Sequence, residues 1–324
     1  MVAYTPSVPL ASLMSIVLAL APQDSKPAGG ADAIAYGAFK LETMQPTGAF
    51  KVRGAANYIL SLSADQRRAG VITVSTGNHG RAVAYVAGAL AIRCVVCLSS
   101  LVPANKIAAI EALGAEVDVG GADQDAAMER ASARACAEGM ILVPPFDHPA
   151  VIAGQGTIGL EIADDLLPVG TVIAPLSGGG LVGGIAAALK PIDPRIRVVA
   201  IASERCPAML ESLKAGRPVT VEERPSLADS LGGGIGLENA YSFPLVRDLV
   251  DEVWVIGEDA TENAIRLAFI HERLVLEGAA ATGIAALIQA PGGTFPGPIV
   301  VVVTGDNIDP PTWLAIINDR NNRA

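Results

Sequence analysis

The chain has 324 residues, of which 51% are hydrophobic and 17% charged, with a formal net charge of -10. Its mean hydropathy is +0.44. This composition excludes a disordered or fibrous chain and supplies buried cores for one large α/β unit or for two domains of about 150 residues. The acidic balance argues against nucleic acid as a partner. A small anionic ligand would need a local pocket of basic or amide groups.

Along the chain, Leu10 to Ala21 is an apolar run without a basic flank, too short to span a bilayer comfortably. It reads as a buried helix or strand rather than a targeting segment, and a cytoplasmic protein with no membrane partner is expected. Gln23 to Asp32 reads as a Pro/Gly-rich loop. From residue 40 onward, β-branched runs alternate with stretches of helical length. Strands are expected at Val71–Ser75, Cys94–Leu98, Glu116–Val119, Ile141–Val143, Val172–Pro175, Val198–Ala202, Val253–Ile256 and Ile299–Thr304. Helices are expected at Lys51–Leu62, His79–Leu90, Asn105–Leu113, Asp123–Glu138 and Gln155–Leu166. Further helices follow at Leu181–Leu189, Pro207–Ala215, Ala260–Arg273 and Ala279–Ala290. Runs such as Ile299 to Val303 are apolar on both faces, as a parallel strand covered by helices on both sides requires. The class is therefore α/β, with residues 70–146 expected as a small inserted unit and 1–69 with 147–324 as a larger one.

Cys94 and Cys97 form a C-x-x-C, but they lie inside an apolar strand and read as core cysteines. The three histidines, His79, His148 and His271, give poor material for a multi-histidine metal centre, and no metal is expected.

Three segments carry chemistry. Ser177, Gly178, Gly179, Gly180 and Leu181 follow a strand and open a helix, the setting of a phosphate cradle. The same stretch spells G-x-G-x-x-G through Gly183, with Glu204 after the next strand, so a dinucleotide site is a rival reading. Ser75, Thr76, Gly77, Asn78 and His79 also join a strand to a helix and could hold a carboxylate; His79 itself reads as a packing or capping residue. Lys51 stands behind Phe50 at the start of an apolar helix, in a chain with six lysines. It reads either as a snorkelling lysine or as a desolvated amine able to form a Schiff base.

Taken together, Pro46 to Ala55, Ser75 to Gly80 and Ser177 to Leu181 resemble the signature set of fold-type II pyridoxal phosphate (PLP) enzymes, the threonine/serine dehydratases, serine racemases and hydroxyaspartate dehydratases. Ser226 to Gly236 and Arg273 to Ala279 are similar to the hydroxyectoine-utilisation branch of that family. The resemblance implies a tryptophan synthase β-like fold with two open, twisted, mostly parallel sheets and flanking helices, and a homodimer. It implies that Lys51 holds the cofactor and acts as base, and that Ser177, Gly178, Gly179, Gly180 and Leu181 bind its phosphate. Asn78 would contact the ring 3′-oxygen, Phe50 would pack beside the ring, and Thr304 would hydrogen-bond its nitrogen. Ser75, Thr76, Gly77, Asn78 and His79 would bind the substrate carboxylate, with Thr76 a candidate acid on the opposite face. The implied reaction is β-elimination from a 3-hydroxy amino acid. Asp306, beside Thr304, either adds charge near the ring nitrogen or points to solvent.

Overall fold

The computed structural model describes residues 37–75, 77–100, 102 and 104–319, so the expectations for Leu10–Ala21, Gln23–Asp32 and Thr76 lie outside the described residues. The strands are β1 (Gly37–Leu41), β2 (Val71–Val74), β3 (Cys94–Leu98), β4 (Glu116–Val119), β5 (Ile141–Leu142), β6 (Thr171–Pro175), β7 (Arg197–Ser203), β8 (Glu252–Ile256) and β9 (Ile299–Val303). The first helices are α1 (Lys51–Ser61), α2 (Ala64–Ala69), α3 (Asn78–Ala89), α4 (Ala104–Glu111), α5 (Gln124–Glu138) and α6 (Pro149–Leu166). They are followed by α7 (Gly180–Leu189), α8 (Ala208–Ala215), α9 (Ser242–Leu249), α10 (Glu258–Glu272), α11 (Gly278–Gln289) and α12 (Pro310–Asn318).

Among the described residues the strands form two sheets, β1-β9-β6-β7-β8 and β4-β3-β2-β5. Every pairing is parallel. The apolar runs explain this: β2, β3, β6 and β9 are buried along their full length, each covered on both faces. In the larger sheet, α6, α7, α8 and α9 pack on one face and α10, α11 and α12 on the other. In the smaller sheet, α1, α3 and α4 cover one face and α5 the other.

The strand order places the ligand crevice. From β6 the chain moves outward to β7 and β8, then returns to β9 on the other side of β6. From β2 it moves outward to β3 and β4, then returns to β5 on the other side of β2. Each reversal leaves a gap at the carboxyl ends of adjacent strands, where open α/β sheets bind ligands. The segments after β2, β5, β6 and β9 all reach one cavity.

Cys94 and Cys97 are buried free thiols inside β3, as an apolar strand demands. No helix among the described residues is long and apolar enough to cross a membrane.

The approach to Lys51 is fixed by a buried ionic network. Arg53 in α1 donates to both oxygens of Glu42, at 2.6 and 2.8 Å, and to Glu161 of α6 at 2.7 and 2.9 Å. Lys40 of β1 meets Glu161 at 2.5 Å. Two cations and two carboxylates thus tie β1, α1 and α6 together. Glu42 is 0% exposed, and Arg53 is its ion-pair partner. Close helix packing supports the same junction: a Cβ on Gly154 of α6 would lie 2.6 Å from the Arg53 carbonyl oxygen. Arg53→Met is expected to lower the free energy of unfolding by about 3–5 kcal/mol in urea titrations, because it strands a buried carboxylate.

Candidate active site

The cavity holds about 720 Å³ and is lined by Phe50, Lys51, Ser75, Gly77, Asn78, His79, Ser177, Gly178, Gly179, Gly180, Leu181 and Thr304. Every described residue expected at the site therefore faces one space.

Lys51 is the first residue of α1, reached through the turn that pairs Ala49 with Gly305 and donates Phe50 N–H to the Thr304 carbonyl at 3.0 Å. Its Nζ donates to the Pro145 carbonyl at 2.8 Å and lies 5.3 Å from the Phe50 ring centre. That carbonyl carries no compensating charge, and burial pulls the amine down to about 8, with Glu277 opposing the shift. Lys40 is also buried, but it is held by Glu161 and does not reach the cavity.

Ser177 to Leu181 turn from β6 into α7 with Gly179 in a left-handed conformation, φ +83°. Among the described residues, no acceptor meets the N–H groups of Gly178, Gly179, Gly180 and Leu181. Open N–H groups at a helix start attract an anion. The glycines themselves serve packing as well. A Cβ on Gly178 would lie 2.5 Å from the Phe146 ring, and one on Gly179 would lie 2.8 Å from Val246 of α9. Ser242 adds a 2.6 Å hydrogen bond from Oγ to the Gly178 carbonyl. The loop is thus clamped from behind while its donors face the cavity.

The loop after β2 repeats the plan at the start of α3. Gly77 N–H donates to Ser75 Oγ at 3.2 Å, and a Cβ on Gly80 would lie 2.4 Å from the Ser75 carbonyl oxygen. The His79 ring is turned away from ligand duty: Nε2 donates to the Val143 carbonyl at 3.1 Å. Burial, then the neighbouring Lys51, depress this imidazole to about 3, so it is neutral. His79 is a packing residue that can offer the cavity its main-chain N–H, which with that of Asn78 meets no acceptor among the described residues.

Both polar atoms of the Asn78 side chain have partners. Its Nδ2 donates to both Glu277 oxygens at 2.9 Å, and its Oδ1 accepts from Asn307 at 2.6 Å. Asn307 also donates to the Thr47 carbonyl at 2.9 Å. Glu277 was not among the residues expected at the site. Burial raises its carboxyl to about 7, with Asn78 pulling the other way. The signal available in the sequence was a lone acid between Leu274–Leu276 and the apolar α11; its partner lies on another sheet.

Asp306 does not reach the main cavity. It faces a second space beyond Gly48, lined also by Thr43, Gln45 and Arg81, and its N–H donates to the Gly48 carbonyl at 3.0 Å. The dinucleotide reading also fails to assemble. Gly183 packs under Leu245, where a Cβ would lie 3.1 Å from the Leu245 Cβ, and Glu204 sits by Gly257 at the start of α10. Neither lines the cavity. Among the described residues, no group of three or more His, Cys, Asp and Glu is placed to hold a metal ion.

Glu277 gives a stability test. Its carboxyl titrates near 7 folded against about 4.5 unfolded, so the folded chain holds the extra proton between these values, and stability falls as pH rises through them. Glu277→Gln removes that loss. Its melting temperature relative to the parent, measured without cofactor, is expected to improve steadily from pH 5 to pH 8, by a few degrees at the upper end.

The comparisons agree with this geometry. A family model described as pyridoxal-phosphate dependent enzyme matches residues 32–305. A putative threonine dehydratase of Sinorhizobium fredii is 48% identical over 279 residues, covering 86% of this chain and 84% of that protein. An L-threonine ammonia-lyase of Thermotoga maritima is 38% identical, covering 83% of this chain and 67% of that protein. Among solved structures, maize serine racemase aligns with TM-score 0.83 at 30% identity, covering 96% of this chain and 91% of that one. Threonine deaminase isoform 2 of Solanum lycopersicum aligns with TM-score 0.82 at 31% identity, covering 88% and 82%. The match to the family model spans most of the chain and contains both anion-facing loops and Lys51, and on it this protein belongs to the pyridoxal-phosphate dependent enzymes.

Proposed function

We propose that this protein is a PLP-dependent lyase that eliminates water from a 3-hydroxy amino acid of the threonine/serine class. The observation that carries the reading is the placing of one desolvated amine, Lys51, in a cavity faced by two helix starts with open N–H groups. The residues fit the cofactor. The N–H groups of Gly178 to Leu181, with Ser177, would hold its phosphate; Phe50 would flank the ring, Asn78 would face its 3′-oxygen and Thr304 its nitrogen. When bound, PLP supplies an aldehyde that condenses with amines and a ring that delocalises the electron pair left at Cα.

The chain's own groups do the rest. With its amine near 8, Lys51 is neutral in an appreciable fraction of molecules at physiological pH, as a nucleophile or base must be. Ser75, Thr76, Gly77, Asn78 and His79 would hold the substrate carboxylate, chiefly through main-chain N–H groups. This carboxylate fixes Cα relative to Lys51 Nζ, which takes the Cα proton as the β-hydroxyl departs with its bonding pair. Glu277 accepts from Asn78 and so orients its amide. Residues 70–146, whose strands pair only with one another, form the smaller of two units in this reading, and the cleft between the units admits substrate.

The relatives' names support threonine as the first substrate. The finer assignment is the hydroxyectoine branch. In hydroxyectoine itself the amine nitrogen belongs to a cyclic amidine, so the substrate there is a ring-opened 3-hydroxy-2,4-diaminobutyrate derivative.

Purified holoenzyme is to be assayed with L-threonine, L-serine and 3-hydroxy-2,4-diaminobutyrate derivatives, following 2-oxo acid and ammonia. Release from at least one is expected, and release from none overturns the reading; a wide margin for threonine removes the hydroxyectoine branch. Lys51→Ala is expected to lower turnover by more than a thousandfold with the far-ultraviolet circular dichroism unchanged. Reconstitution of the cofactor-free protein with PLP is expected to accelerate as pH rises through about 8, where the Lys51 amine loses its proton. A flat rate from pH 6.5 to 9 contradicts that role.

A further inference from the structure

The cavity wall formed by residues 223–236 has no part in the roles assigned so far, and two carboxylates, Glu223 and Asp229, line it. Glu223 accepts from Gly233 N–H at 2.7 Å and from Gly234 N–H at 3.3 Å. All three residues line the cavity that contains Lys51. Gly233 and Gly234 have φ of +106° and +67°, and a Cβ at either would meet nothing within 4 Å. Successive N–H groups in such a turn make a concave anion seat. Here the chain fills the seat with its own side chain.

This wall is the one left for the substrate side chain. The start of α7 would take the phosphate, the loop before α3 the α-carboxylate, and Lys51 the amine. Two cations share this rim: Lys106 faces Asp229 at 3.9 Å, and Arg224 lines the same cavity.

We propose that Glu223, seated on the Gly233 and Gly234 N–H groups, is a specificity-determining residue that excludes 3-hydroxy amino acids with an anionic side chain. The proposal rests on the assigned reaction and goes further, to the charge of the substrate. A second carboxylate entering this wall meets a tethered competitor for its donors and a like charge at close range. Neutral or cationic side chains meet neither obstacle. Glu223→Gln keeps a carbonyl oxygen for the glycine donors while removing the charge.

The test measures kcat/KM of the holoenzyme for L-threonine and for 3-hydroxyaspartate, with the parent, Glu223→Gln and Glu223→Ala. The parent is expected to favour threonine by at least about 100-fold, the range that a like-charge contact supplies. Both variants are expected to narrow that ratio at least tenfold, chiefly by lowering KM for the dicarboxylate. A parent that uses both substrates within threefold overturns the proposal, as does a ratio that neither variant changes. If the parent turns over no 3-hydroxy amino acid, the assigned reaction fails on its own account. Titrating 3-hydroxyaspartate against the cofactor absorbance of parent and variants then still decides the point, since tighter binding by Glu223→Gln upholds exclusion by Glu223 and equal binding refutes it.

Discussion

The constraint on which the site depends is the meeting of two helix starts and one poorly solvated amine in a single cavity. In the proposed reading, an acidic chain must seat a phosphate and a carboxylate without a surplus of cations. The solution uses main-chain N–H groups, which carry no net charge and need no counter-ion elsewhere. The helix dipoles behind α3 and α7 add a fixed positive end to each seat. Lys51 is then the one cation that the chemistry requires, and its partner is a neutral carbonyl. That pairing leaves the amine only partly protonated near neutral pH, unlike Lys40, which Glu161 holds in an ion pair.

Precision at these helix starts comes from the packing behind them. Phe146 and α9 press on the glycine turn, and Ser242 holds the Gly178 carbonyl. The same 145–148 segment accepts from Lys51 through Pro145, and Asp147 receives the N–H groups of Ala240, Tyr241 and Ser242 at 2.7–2.9 Å. One short connection leaving the smaller sheet therefore contacts the amine, the glycine turn and the helix that backs it.

Much of this was legible in the sequence because it is local. Buried parallel strands announce themselves as β-branched runs, and turns into helices announce themselves as glycine clusters; eight of the strands fall within a residue of expectation. The misses have physical reasons. Strand β1, Gly37–Leu41, carries Lys40, a residue that argues against burial until Glu161 is seen opposite it. Helices α9 and α12 have proline in their first turns, where it is tolerated, yet in sequence it reads as a break. Helix α6 begins six residues earlier than expected, with His148 as its cap and Pro149 in its first turn, where a proline reads as a break in sequence. Glu277 and Asn307 could not be placed because each acts through Asn78, more than 190 residues distant. His79 reads as a packing residue in sequence, while its ring's acceptor, Val143, emerges only from the sheet order.

Because both proposed anion seats consist of peptide groups, replacing a neighbouring side chain does not abolish them; only added bulk or a change in loop length can. Selection can therefore rework the Glu223 rim, altering which amino acids are admitted, while the machinery beneath stays whole. A protein arranged in this way is well suited to acquiring new substrates by single substitutions.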